Sequence, residues 1–287
     1  PTAAEKGGSI MRGKEAGRNP ATCRACHGNR PHKAEMDRIN NHTRKVACQT
    51  CHIPSFARGE VATKLSWDWS TAGKLNDKGK PFVKKDDEGH VIYNSKKGNF
   101  TLGRFVKPEY VWFNGLVQYT LVGDKVKKSD EPILINRYMG GPDDENSRIW
   151  PVKVFHGVQP YDPVNQSLVV PHLAGNDDTA FWKNFNWKNA VAAGMAYVGE
   201  PFSGEVDFIA TKMYWPITHM VAPAKDALAC EECHSKQGRL KNIKGVYMPR
   251  RDTHQYLDMG GWSLALLALI GVLIHGGLRI FGSRKEG

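Results

Sequence analysis

The sequence predicts an α+β fold that is helical and irregular around three short cysteine motifs, with a β-hairpin-containing insertion and one C-terminal transmembrane helix. Three observations predict it. All six cysteines fall in copies of one pattern, C-x-x-C-H; those copies are unevenly placed, with residues 53–229 free of cysteine; and Trp262 to Phe281 is a predominantly apolar run.

The motifs are Cys23-Arg24-Ala25-Cys26-His27, Cys48-Gln49-Thr50-Cys51-His52 and Cys230-Glu231-Glu232-Cys233-His234. This spacing is the attachment signature of c-type haem. Two thiols one helical turn apart can each form a thioether to a haem vinyl group, while the adjoining imidazole binds the iron axially. The sequence thus predicts three covalently bound haem c groups, anchored by Cys23, Cys26, Cys48, Cys51, Cys230 and Cys233, with His27, His52 and His234 as proximal ligands. A structural zinc site competes for the first two pairs, which read as C-x2-C-x21-C-x2-C. It is disfavoured because each pair is followed at once by His, no cysteine is left over, and the third pair has no second pair to complete a tetrahedral set.

A haem held by two imidazoles needs one more histidine, and eight remain. His42, six residues before Cys48, and His219, eleven before Cys230, lie closest to a motif in the usual manner, and His32 follows His27 by five; these three are the expected distal ligands. His172 and His254 are weaker candidates, and His90 sits in a charged turn typical of the surface. Met220 beside His219 is better read as a packing residue than as a ligand.

The formal charge of +11 raises nucleic acid or an anionic surface as a partner. The propionates of three haems would offset about six of those charges, and the basic first 60 residues carry no interleaved aromatics to stack bases, so no nucleic-acid partner is expected. Covalent haem attachment places the motifs on the outer side of a bacterial inner membrane, in the periplasm. The chain opens at Pro1 without a recognisable signal peptide, which reads as a mature product or as a chain lacking upstream sequence.

At about 1.5 Å per residue the Trp262–Phe281 run matches a ~30 Å hydrocarbon core. Trp262 suits the outer interface, and Arg279, Arg284 and Lys285 the cytoplasmic end. His275 and Arg279 share one face of this helix, and an ionisable residue at that depth marks a functional site by default: a b-type haem, a quinone, or a polar contact to a partner subunit.

Five segments follow: a dihaem segment at 1–60, a haem-free mixed α/β insertion at 61–212, a third-haem segment at 213–258, the transmembrane helix at 259–282 and a cytoplasmic tail at 283–287. Within the insertion, Val111 to Tyr119 places Asn114-Gly115 between apolar runs, a hairpin cue. A second turn is expected at Gly123-Asp124. Pro151, Pro160, Pro163 and Pro171 predict an irregular stretch. Asn186 and Gly199 are positioned to cap and stop a helix over Trp187–Val198. The aromatic runs Trp67-Asp68-Trp69 and Phe181 to Trp187 read as packing surfaces, not electron relays.

Several longer stretches are more specific than the motifs: Val46 to Pro54, Trp67 to Gly73, Asn146 to Pro151, Leu168 to Leu173, and Met213 to Pro223 leading to the last motif. With these the chain resembles the C-terminal part of the octahaem tetrathionate reductase family of multihaem cytochromes c. The resemblance implies a reductase of sulfur or nitrogen oxyanions such as tetrathionate, nitrite or hydroxylamine, whose active haem carries a lysine ligand. This chain has three motifs and not eight, which by order match the last three. The lysine-ligated haem would lie in a haem-rich upstream segment or partner subunit, so no catalytic residue is assigned here. The C-terminal span implies a membrane-attached version in contact with lipid, quinone and other redox proteins. Two functions follow from this: the membrane-anchored part of an octahaem reductase, or a non-catalytic trihaem conduit between membrane and periplasm.

Overall fold

The computed structural model describes residues 23–282; what was predicted for residues 1–22 and for the 283–287 tail lies outside them. The chain divides into two compact units. One runs to Ala229 and takes in Asn242–Gly245; the other comprises Cys230–Lys241 and the chain from Val246 onward.

The first unit is built on strands β1 (Thr63–Asp68), β2 (Val83–Lys85), β3 (Val91–Asn94), β4 (Gly98–Gly103), β5 (Glu109–Phe113), β6 (Val117–Tyr119), β7 (Ile133–Leu134), β8 (Asn136–Tyr138), β9 (Arg148–Asp162), β10 (Ser167–Leu168) and β11 (Asp207–Pro216). Nine of them form one mixed sheet in the order β2-β3-β4-β1-β9-β11-β7, with β5 and β10 also on β9, while β6 and β8 pair separately. Two hairpins, β2–β3 and β3–β4, lie inside the predicted insertion.

The Asn114-Gly115 turn forms, with Gly115 at φ +95° and the Leu116 N–H donating to Asn114 Oδ1 at 3.0 Å. Its flanking strands do not make a hairpin, however. β5 pairs with β9 over five residues and β6 with β8. An isolated hairpin is marginal in water, whereas this arrangement buries Phe113 and Val117 in one cluster with Ala47 and Trp150.

The proline-rich stretch corrects a second expectation, because Pro151 and Pro160 lie inside the 15-residue β9. Proline is tolerated in a strand where no partner needs its missing N–H. Pro151 lies opposite the end of β11, its carbonyl accepting from Ile217 just past that strand. Pro160 falls between the last β1 pair, at Val158, and the first β10 pair, at Tyr161.

Among the described residues this unit also has the α-helices α1 (Cys23–His27), α2 (Asp37–His42), α3 (Cys48–His52), α4 (Phe181–Asn184) and α5 (Trp187–Val198). The α5 ends are those predicted: the Asn186 side chain accepts from the Asn189 N–H at 3.1 Å, and Gly199 stops the helix at φ +74°. Mid-helix, Gly194 lets α5 approach the Val170–His172 backbone, where an added Cβ would collide with the Val170 carbonyl. Gly194→Ala is therefore expected to destabilise the fold by about 1–3 kcal/mol despite alanine's better helix propensity, read as a lowered thermal midpoint. The two aromatic runs meet beside α5. Trp67 stacks on Trp69 at 4.6 Å and Trp187 on Phe181 at 3.9 Å, with Trp69 edge-on to Trp187 at 5.9 Å.

Asp162 ends β9 fully buried, and its carboxylate accepts from the Val164 and Asn165 N–H groups and from the N–H and hydroxyl of Ser203. Burial alone would push this carboxyl up, but the donors outweigh burial and hold it below the ordinary carboxylate range. A depressed folded-state pKa contributes stability that is complete above the unfolded value of about 3.9 and is lost as pH falls through the folded one. Asp162→Asn should therefore cost about 1.5–3 kcal/mol at neutral pH, with a difference in thermal midpoint from the parent that narrows below about pH 4.

In the second unit, α6 (Cys230–Cys233) precedes a turn clamped by Arg239, whose Nε and terminal nitrogen both donate to Glu232 Oε1 at 3.1 and 2.9 Å. Arg251 ties the Leu240 and Val246 carbonyls to Asp252. Then α7 (Gln255–Gly282) begins; over its most apolar 18-residue window the mean hydropathy is 2.0 with none of that window buried, and the Gln255–Ile280 stretch is long and apolar enough to cross a membrane.

Candidate metal centre

Each cysteine pair occupies one helical turn, which puts both thiols on one side of α1, α3 and α6. The second motif is the most firmly built. Ala47 before it is buried against Trp150, and Ile53 after it is buried with Phe56 and Ile217. The Thr50 hydroxyl donates to the Ile149 carbonyl at 2.7 Å, and the Cys51 and His52 carbonyls accept from Leu228 and Ala222. The sheet therefore fixes α3 on both flanks.

Cys23 of the first motif and Cys48 of the second are within hydrogen-bonding reach. The bond from Cys23, with the nearby Arg24 and Arg148 charges, pulls the Cys48 thiol down to about 6 against the effect of burial, and Cys23 is pushed up by the same bond and by burial. A thiolate is the nucleophilic form of cysteine. Arg24 and Arg148 both donate to the Thr43 carbonyl, at 3.3 and 2.9 Å, and among the described residues no carboxylate pairs with either. Burial, then the Arg24 charge, pulls the Arg148 pKa down. Two guanidiniums converging without an acid form a site for an anionic group.

His32 and His52 face each other across the same region, with ring centres 6.3 Å apart and planes within 16° of parallel. Two imidazoles holding one metal ion end-on through nitrogen at about 2 Å have ring centres about 6 Å apart, which is the separation seen here. Asn40, itself buried, receives the His32 N–H at 3.0 Å, lies 3.2 Å from its Nδ1 and donates to its carbonyl at 3.1 Å. His52 Nδ1 lies 3.4 Å from the Ala222 carbonyl. With each Nδ1 protonated toward an oxygen, the Nε2 lone pairs are the ones left for a metal. Asn40 was missed in the sequence, where nothing marks a mid-helix Asn as a clamp for a residue eight positions upstream.

His42 ends α2 at the surface, its Nδ1 2.6 Å from the Arg38 carbonyl. His27 is exposed at the end of α1. His219 is exposed in the first unit beside Met220, which adopts φ +66° and whose carbonyl accepts from Arg58. The third motif lies in the second unit, with Cys233 buried and its thiol pushed up to about 11 by that burial, while Cys230 is exposed. Elsewhere, His172 lies 3.1 Å from Asp177, and His90 3.4 Å from Asp86 in a charged turn.

The family model described as cytochrome c bacterial matches residues 64–237, more than half of the chain. The chain belongs to the bacterial cytochrome c family. Among solved structures this cytochrome is similar to an octaheme cytochrome c from Shewanella oneidensis, at 38% identity and a TM-score of 0.69 over 78% of its own length. The match covers 51% of the Shewanella chain, so the cytochrome spans about half of that protein. No curated protein matches it. Its cofactor is covalently bound haem c, and the chemistry of such a cytochrome is electron transfer. The residues present fit that group: paired thiols one turn apart, two imidazoles at the separation of a shared ion, and, among the described residues, an acid-free pair of guanidiniums beside them.

Proposed function

We propose that this cytochrome carries electrons between a membrane and the periplasm through three haem c groups, as the membrane-anchored C-terminal part of an octahaem reductase of sulfur or nitrogen oxyanions. The observation that carries the electron-transfer role is the facing pair His32 and His52. An iron with both axial positions filled by imidazole passes electrons and leaves no place for a substrate. In this reading Cys23, Cys26, Cys48, Cys51, Cys230 and Cys233 anchor the haems, His27, His52 and His234 are proximal ligands, His32 completes the His52 site, and His42 and His219 are further distal-ligand candidates.

The reductase setting is supported by 38% identity to an octaheme protein of which the match covers 51%. The remaining haems, and the substrate-binding one among them, then belong to an upstream segment or partner. α7 supports the anchor: spanning with the haem-bearing bulk outside leaves Arg279 at the cytoplasmic end, and places His275 where a b-type haem or a quinone could be bound.

The test is to purify the chain from membranes of a host with a haem-attachment system and to count haems by mass and spectrum. Three low-spin haems per chain, resistance to alkaline carbonate extraction and co-purification of a haem-rich partner are the expected results. A chain without Soret absorption, or one released by carbonate, would refute the cofactor or the anchor respectively.

A further inference from the structure

We propose that the cavity between the third-motif segment and the first turns of α7 binds the ring of a membrane quinol, an inference that rests on the membrane-anchor reading above. This open depression, about 450 Å³ in volume, is lined by Lys236, by Thr253 and by Gln255, Asp258, Met259, Trp262 and Ser263 of α7. All of these residues belong to the second unit. Its volume lies within the roughly 300–1,000 Å³ of small-molecule sites.

The α7 wall is one stripe. Positions 255, 258, 259 and 262 follow the i, i+3, i+4, i+7 spacing of a single helical face. Asp258 is the acidic residue of α7, four positions before the Trp262 expected at the membrane surface. Lys236 stands two residues after His234 of the third motif. Among the described residues neither Lys236 nor Asp258 has an ion-pair partner.

These groups match one ligand class. A hydroquinone is a flat apolar ring with an oxygen at each end: the Lys236 ammonium can donate to one oxygen, the Asp258 carboxylate can accept from the hydroxyl at the other, and Trp262 and Met259 present an apolar surface to the ring. A simple anion would be attracted to Lys236 but repelled by Asp258. A zwitterionic phospholipid head group also carries both charges but lacks the ring. His275 lies 17 residues further along α7, about 25 Å at 1.5 Å per residue. The cavity and His275 are therefore separate positions along α7, and the quinol ring is assigned to the cavity beside the third motif.

The test uses the haem-loaded chain in phosphatidylcholine nanodiscs and a photoreactive azido-quinone with a prenyl tail. The label is expected on the peptide spanning residues 253–263. Asp258→Asn and Lys236→Gln should each lower labelling about tenfold, the loss of one charged hydrogen bond, while haem spectrum and membrane integration stay unchanged. Labelling at His275, labelling unaltered by either variant, or full displacement of the label by phosphatidylethanolamine would overturn the proposal. Release of the parent chain by carbonate would instead refute the anchor reading, independently of where the label lands.

Discussion

Alanine at both Cys230 and Cys233 is expected to yield a protein lighter by one haem, with about a third of its Soret absorbance gone, because no thioether can then form at that motif. Substituting Cys230 alone leaves the buried Cys233 to hold one thioether, and His234 is untouched, so this variant keeps its haem in part. The first unit's two motifs share no residue with α6, and their haems should remain. Mass spectrometry of the intact chain reads the difference directly. A double variant that retains the full porphyrin mass would end the assignment of that motif.

His32 carries the second large effect. With His32 as the proposed partner of His52, His32→Ala should convert one haem from low to high spin, let it bind carbon monoxide when reduced, and be reversed on addition of imidazole. His32→Met should keep that haem six-coordinate and raise its potential by on the order of 0.1–0.2 V, a modest part of the roughly 0.8 V range open to axial ligation. Asn40→Ala should loosen the ring and give a partial version of the alanine phenotype. The same substitution at His42 should leave the signal of the His52 haem in place. Low-spin spectra throughout in His32→Ala would show that another group fills the position.

What was legible in the sequence is local. Asn186 and Gly199 bound α5 as predicted because a cap and a stop act within one turn. The thiol pairs and their adjoining histidines are equally local, and each pair lies on a helical turn. Pairing across long separations was not legible. Asn114-Gly115 announces a turn, but whether β5 and β6 face each other or other strands depends on β9, some 35 residues on. Pro151 and Pro160 look like strand breakers until the ends of β11 and β1 show that their missing N–H groups have no partner to serve. Chain distance favoured His42 over His32 as the imidazole nearest the second motif, whereas the fold brings His32 to His52 through a clamp at Asn40.

The fastening of α3 to Ile149 has a consequence for biogenesis. Residues 47 and 50 close onto position 149, about a hundred residues downstream, and 51 and 52 onto 228 and 222. Such high contact order slows closure. Until the later chain has emerged and docked, Cys48 and Cys51 stay on an open peptide that an enzyme ligating porphyrin can grasp, and afterwards the clamp shuts around the product. Speeding the sheet's assembly should therefore lower the yield of haem at this motif, an effect that haem-peptide mapping of nascent and mature chains would reveal.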